Sequence, residues 1–166
     1  MRVPYMLENE PFEKLLILHR PRPKLDHRPP ILRLGFAIPN HVAEFRRAAL
    51  KCNLGDPEEL RTTKDSSLLR LLVTSHLNER CGLSPKEGVD YDHIHSKVSD
   101  LVLEIATNYR MQIPEDKVDD VLCAIRDIFS LPEDAHPKWY LEADIVDKDP
   151  DEYRLPSELY ILTVKW

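Results

Sequence analysis

The stretch DHIHSKVSDLVLEIATNY, residues 92–109, decides how the middle of this chain is expected to fold. Its apolar residues recur at steps of three and four, which is the spacing of one face of an α-helix. The residues of that face are Ile94, Val98, Leu101, Val102, Ile105 and Tyr109. The pattern predicts a helix over residues 92–109, with Asp92 as its N-terminal cap.

Three further segments show the same spacing of apolar residues. They predict helices over residues 40–53, 66–81 and 114–129. Gly55 and Gly82 follow the first two segments, as expected for helix ends. Pro114 opens the last segment, where the first turn of a helix tolerates proline. Residues 40–131 are therefore predicted to form a core of four helices.

Strands are predicted at both ends of the chain. Residues 13–19 and 31–38 are short apolar runs between prolines, and residues 139–146 and 159–166 alternate between apolar and polar side chains. The two C-terminal runs predict a β-hairpin. The chain is thus predicted to be one α+β domain over residues 1–166. A proline-rich strand and loop region would cover residues 1–39, and the hairpin would cover residues 138–166.

The composition favours a folded protein of a reducing compartment. The 166 residues, 42% of them hydrophobic, suffice for one core. The apolar runs are far shorter than the roughly 20 residues of a membrane span, and acidic residues near the N-terminus argue against a secretion signal. Three widely spaced cysteines are typical of free thiols. We therefore expect a cytoplasmic or nuclear location and no membrane partner.

Charge is unevenly distributed along the chain, whose net charge is −6. Residues 1–54 carry ten Lys/Arg against five Asp/Glu, whereas residues 115–158 carry five against fourteen. Such asymmetry steers encounters with a charged partner. It is equally compatible with the two ends lying against each other, and this internal interpretation is slightly favoured.

Two segments are candidate partner-binding surfaces. The basic candidates lie in the proline-rich segment and are Arg20, Arg22, Lys24 and Arg28. The others lie in the predicted hairpin and are Trp139, Tyr140, Glu142 and Asp144. Aromatic residues at a strand edge are typical interface anchors, although they are equally typical of a core. Nucleic acid is a less favoured partner than protein, because no aromatic residue accompanies the basic segment for stacking on bases.

The candidate catalytic residues are three histidines and one carboxylate. Four dispersed glycines form no phosphate-binding loop, so no nucleotide cofactor is expected. His76 lies in the apolar stripe of the second predicted helix and is either a core residue or a general base. His93 and His95, beside Asp92, would point in opposite directions on a helix. This disfavours a shared metal ion and leaves these residues as alternative acid–base groups.

An acidic run near the C-terminus has the spacing of metal ligands. Asp147, Asp149, Asp151 and Glu158 occupy positions one, three, five and twelve of a twelve-residue frame. This spacing resembles the EF-hand calcium loop. However, Glu152 stands where that loop needs a glycine, and the flanking segments alternate like strands. A solvated hairpin tip is the favoured interpretation.

These observations favour a non-enzymatic protein-interaction or regulatory module without a cofactor. The alternative is a small cofactor-free hydrolase or lyase-like enzyme that uses a histidine and a carboxylate. Solvent access separates the two hypotheses, because an enzyme needs a histidine in a concave pocket where other polar groups converge. No feature of the sequence indicates an oligomeric state.

Overall fold

Helices and strands are interleaved along the chain. The computed structural model describes residues 11–14, 31–84, 86–96 and 98–142. In chain order the elements are β1 (Leu32–Ala37), α1 (His41–Lys51), α2 (Pro57–Thr62), α3 (Ser66–Arg80), β2 (Asp90–His95), β3 (Leu101–Thr107), a 3-10 turn (Glu115–Lys117), α4 (Val118–Phe129) and β4 (Lys138–Glu142). The fold is therefore mixed α+β, as the sequence predicts.

Three of the predicted helices correspond to α1, α3 and α4, whereas the short helix α2 was not predicted. The side chain of Asp56 accepts hydrogen bonds from the first backbone N–H groups of α2, and Asp65 does the same for α3. These caps satisfy donors that have no partner within the helix. Asn40 precedes α1 in the left-handed region and makes no side-chain capping bond. Helix α1 thus begins without a side-chain cap.

The predicted helix over residues 92–109 is wrong, because this stretch forms the strands β2 and β3 joined by a turn. All residues from Leu101 to Ala106 are buried, so both faces of β3 are covered. A strand that is buried on both faces carries a continuous apolar run, and such a run also matches a helical period. Asp92 consequently caps no helix and lies within β2.

The four strands form a closed antiparallel ring in the order β1, β3, β2, β4. β1 pairs with β3 on one side and with β4 on the other. β2 pairs with β3, and two residue pairs, Ile94 with Glu142 and His95 with Leu141, join it to β4. Every strand therefore has two neighbours.

The ring separates two clusters of buried side chains. Helices α1, α3 and α4 pack over one face of the sheet, where Phe45 of α1 meets Phe129 of α4 edge to face at 5.1 Å. The second cluster is smaller and contains Ile94, Val102 and Tyr140. Because successive side chains of a strand point to opposite faces of the sheet, neighbouring residues of a strand can belong to different clusters.

The predicted arrangement of the strands needs correction. Two of the four strands lie within residues 40–131, so this region is not a purely helical core. β4 is the beginning of the predicted hairpin, yet it pairs with β1 and β2. The remainder of that hairpin, residues 143–166, lies outside the described residues. Of the predicted strand at residues 13–19, only residues 13 and 14 are described.

No helix in the described part of the chain is long and apolar enough to cross a membrane.

Gly35 should be essential to the closed ring, because β1 passes very close to β3 at this residue. A Cβ atom on Gly35 would overlap the backbone carbonyl of Leu103, beside a register shift between Leu34 and Gly35. We expect Gly35→Ala to lower the free energy of unfolding by about 3 kcal/mol. Urea unfolding followed by circular dichroism measures the change.

Gly55→Ala is the matched control, since a Cβ atom there would meet only the side chain of Leu60 at ordinary contact distance. We expect a change within about 1 kcal/mol. Equal losses in the two variants would show that the close approach at Gly35 is unimportant.

Candidate functional site

A cluster of charged side chains lies at one end of the strand ring, and all four strands contribute to it. Arg33 of β1 donates from Nη1 to Oε2 of Glu104 in β3. Its Nη2 lies 2.6 Å from Oδ2 of Asp92 in β2 and 2.5 Å from Oε1 of Glu142 in β4. We call these four residues the Arg33 cluster. One guanidinium thus faces three carboxylates from the other three strands.

Burial dominates the electrostatics of the Arg33 cluster. Glu104 is only 1% exposed, and its Oε1 has no hydrogen-bond partner among the described residues. Burial raises the pKa of Glu104 above its usual value, while Arg33 opposes this rise and Asp92 adds to it. Burial is the largest influence on the pKa of Arg33 and lowers it. The hydrogen bonds that Arg33 donates to Glu104 and Glu142, together with the negative charges of Glu104 and Asp92, outweigh burial and raise the Arg33 pKa.

The arrangement of the Arg33 cluster suits a structural role. The guanidinium occupies the space between the carboxylates, where a metal ion would need to sit. Among the described residues, no group of three or more His, Cys, Asp or Glu side chains is placed to hold a metal ion. The cluster instead links strands that lie far apart in the sequence.

The predicted catalytic residues are distributed over different elements. His76 is half-buried on α3, and His93 is exposed on β2, where its Nδ1 lies 3.2 Å from the backbone oxygen of Asp100. His95 also belongs to β2. The carboxylate of Asp92 contacts Arg33. No described contact joins the imidazole of His76 or His93 to Asp92, and the catalytic role of all four residues stays a prediction.

The predicted partner-binding residues of the C-terminal region have packing partners within the fold. Trp139 and Tyr140 are 2% and 4% exposed, and each belongs to one of the two buried clusters. Glu142 is a member of the Arg33 cluster. Their predicted contact with another protein is untested. The other candidates lie outside the described residues: Arg20, Arg22, Lys24, Arg28, Asp144, Asp147, Asp149, Asp151 and Glu158.

A groove with a volume of about 950 Å³ lies between α4 and the sheet. Its floor is apolar and is formed by Leu34, Ile105, Met111, Ile113, Val118 and Leu122. Met111 is 40% exposed, which is unusual for a large apolar side chain. We call this feature the α4 groove. Apolar concave surfaces of this size are typical binding sites.

The rim of the α4 groove carries more negative than positive charge. Glu87, Glu115 and Asp119 line it, and none of them forms an ion pair with another described residue. Arg126 and His136 also line it. His136 contacts the carboxylate of Glu13, whereas Arg126 Nε donates to the neutral backbone oxygen of Ala135 and keeps its charge. Three carboxylates against one guanidinium leave the rim negative.

A short N-terminal segment lies beside the groove. The backbone of Phe12 exchanges hydrogen bonds of 3.0 and 2.9 Å with Trp139 of β4. The carboxylate of Glu13 lies 2.6 Å from His136 Nε2 and 2.7 Å from Lys138 Nζ. These hydrogen bonds and ion pairs hold the segment against β4.

Sequence reasoning missed both the Arg33 cluster and the α4 groove. Arg33 was one of several basic residues near the prolines, and Glu104 interrupted an apolar run that was assigned to a helix. A charged residue inside such a run was the available signal, because an ionised side chain is rarely buried without a partner. The groove had no comparable signal, since its residues come from β1, β3, α4 and the loops between them.

No protein-family model, curated protein or solved structure matches this chain.

Arg33→Met should destabilise the protein strongly, because it leaves the buried Glu104 without its cation. Removing one partner of a buried ion pair costs about 3–5 kcal/mol. We expect a loss of this size in urea unfolding at pH 7. Adding Glu104→Gln should restore part of the loss, because the uncompensated charge is then gone. A double variant no more stable than Arg33→Met would contradict this account.

The loss caused by Arg33→Met should depend on pH. Arg33 opposes the burial that raises the pKa of Glu104, so its removal raises that pKa further. A carboxyl whose pKa is raised in the folded state stabilises the fold when protonated, and this stability is lost as the pH rises through that pKa. Unfolding between pH 4 and pH 8 should therefore show the deficit of Arg33→Met shrinking toward low pH. A deficit that stays constant would exclude this coupling.

Proposed function

We propose that this chain is a non-enzymatic protein-interaction module of the cytoplasm or nucleus that binds an apolar, basic peptide segment of another protein in the α4 groove. The observation that carries the proposal is an apolar floor, on which Met111 is exposed and Val118 and Leu122 are partly exposed, beside acidic side chains that have no ionic partner among the described residues. A peptide with apolar and basic side chains complements both features.

The floor of the groove provides the affinity of the proposed complex. Burial of apolar surface contributes about 25 cal/mol per Å², so covering one exposed side chain such as Met111 contributes on the order of 1 kcal/mol. Val118 and Leu122 are partly buried and present further apolar surface on the same side of α4. Several such contacts together give the modest affinity that is typical of peptide recognition.

The rim of the groove selects the charge of the partner. Glu87, Glu115 and Asp119 present carboxylates that can accept hydrogen bonds from lysine or arginine side chains. Complementary charge mainly increases specificity and the rate of association. Nucleic acid is disfavoured as the occupant, because its phosphates would meet these carboxylates.

The geometry of His136 favours binding over catalysis in this groove. His136 lies at the rim with a carboxylate beside it, which is the pair expected of a hydrolase that uses a histidine and a carboxylate. However, Nδ1 of His136 lies 3.1 Å from the backbone oxygen of Asp134, and Nε2 lies 2.6 Å from Glu13. Both ring nitrogens thus contact acceptors of the protein itself, whereas a general base needs one nitrogen directed at the substrate.

Met111→Ser should weaken peptide binding. The probe is a fluorescein-labelled heptapeptide of four leucines and three lysines, arranged so that one face of a helix is apolar. Because Met111 is exposed on the groove floor, its truncation should raise the Kd about three- to tenfold in fluorescence anisotropy. Leu71→Ser is the matched control, since Leu71 is 57% exposed on α3 and does not line the groove. Equal losses in both variants would indicate non-specific adsorption.

Asp119→Lys should weaken binding of the same peptide through charge. We expect a Kd at least about fivefold higher at 50 mM salt, with the difference falling as salt screens the charges. Glu79→Lys makes the same charge change on α3 outside the groove and should leave the Kd within twofold. A peptide with glutamates in place of the lysines should bind poorly to the unaltered protein. If neither the glutamate peptide nor Asp119→Lys changes the Kd, the proposed role of the rim in selecting a basic partner is refuted.

A further inference from the structure

His136 links the N-terminal segment to the α4 groove. It lies on the connection between α4 and β4, where it lines the groove and also contacts Glu13. A second, smaller hollow of about 310 Å³ lies beside it and is also lined by Lys138. A change at this imidazole therefore affects both the segment and the groove.

The contacts of His136 require the charged form of its ring. Nδ1 faces a backbone carbonyl oxygen and Nε2 faces a carboxylate oxygen, and both of these groups only accept hydrogen bonds. A neutral imidazole has one donor and one acceptor nitrogen, so it can satisfy only one of the two contacts. The imidazolium donates from both nitrogens. This geometry alone assigns two protons to the ring in the described arrangement.

The segment that His136 holds is attached to the fold through Phe12 and Glu13. Phe12 makes an isolated antiparallel bridge with Trp139 and packs against the main core while remaining partly exposed. Glu13 is 55% exposed and receives hydrogen bonds from His136 and Lys138. Loss of the bond from His136 removes one of these attachments and should therefore shift the segment toward release by the modest factor expected of an exposed ion pair.

We propose that residues 11–14 and His136 form a pH-sensitive latch, in which the imidazolium holds the segment against β4 and loss of its proton releases the segment and weakens peptide binding in the α4 groove. The second part of this inference rests on the proposed function. The first part concerns the fold alone and can be tested without a peptide.

The charged groups around His136 determine the direction of the pH dependence. The hydrogen bond to the backbone of Asp134 and then the hydrogen bond to Glu13 raise the pKa of His136, whereas burial and the charge of Lys138 lower it. Arg126 also lines the groove rim and adds positive charge on the α4 side. Since the pKa of His136 is higher when the latch is closed, the latch is closed below the usual histidine pKa and opens as the pH rises through the raised value.

Release of the segment should weaken peptide binding through the position of His136. The loss of the Glu13 carboxylate and the loss of the proton on His136 offset each other in charge. The ring of His136, however, loses a contact that fixes its position on the rim, so the rim must be ordered again when a peptide binds. Because the ion pair is largely exposed, the effect should be roughly two- to fivefold.

The latch is tested by NMR on the full chain. Titration of the His136 ring should give a pKa above that of an unperturbed histidine, and Glu13→Gln should lower it by roughly 0.3–0.7 units, which corresponds to the same two- to fivefold effect. Glu133→Gln is the matched control, because Glu133 is exposed in the same connection and should leave the titration unchanged. An unaltered pKa in Glu13→Gln would overturn the latch.

Hydrogen exchange of the Phe12 amide reports directly whether the latch is closed, because this amide donates to the backbone oxygen of Trp139 when the segment lies against β4. Its protection factor, corrected for the intrinsic rate, should fall two- to fivefold between pH 6 and pH 8. His136→Arg keeps a positive charge and should retain the protection at pH 8. His136→Gln should show the lower protection at both pH 6 and pH 8. Protection independent of pH in the unaltered protein would also overturn the latch.

Peptide binding separates the latch from the proposed function. With the leucine–lysine heptapeptide, the Kd should rise two- to fivefold from pH 6 to pH 8 in the unaltered protein and stay flat in Glu13→Gln. If the Kd does not change with pH but the protection of the Phe12 amide does, the regulation of peptide binding is refuted and the latch itself is supported. Absence of peptide binding at every pH would refute the proposed function, and the regulatory part of this inference with it.

Discussion

One guanidinium joins four strands whose contributing residues lie up to 109 positions apart in the sequence. Arg33 can do this because its planar group carries several donors that point in fixed directions. Replacing a buried ion cluster by apolar residues is often neutral or stabilising. A large net contribution to stability is therefore not what distinguishes such a cluster from an apolar core. In this ring a shift of β1 against β3 would leave Glu104 buried without its cation, so the Arg33 cluster disfavours other registers of these two strands.

The closed ring in turn positions the proposed binding site. β4 pairs with β1 along four residues, and this register places the connection from α4 beside the sheet. The α4 groove is the space left between that connection, α4, β1 and β3. His136 and Pro137 line it immediately before β4 begins at Lys138. Packing of the ring and the proposed recognition at the groove therefore depend on the same strand.

The sequence predicted the helices α1, α3 and α4 because each is amphipathic with one buried face. It misassigned residues 92–109 because Val102 and Glu104 are buried on the opposite face from Leu101 and Leu103. A strand covered on both sides lacks the alternation by which an ordinary strand is recognised. The Arg33 cluster and the contact between Glu13 and His136 join residues 59 to 123 positions apart. Local periodicity contains no information about pairs at such separations.

The pairing of β1 with β4 also constrains how the chain acquires its structure. Residues 32–35 find their partners at residues 138–141, so one edge of the first strand stays open until nearly the whole described chain has been synthesised. Contacts this distant in sequence raise the contact order and slow folding, because a long loop must close before its ends are stabilised. The helices between them can form earlier from local contacts. During synthesis on the ribosome, β1 is consequently a template for unwanted strand addition until β4 emerges and covers it.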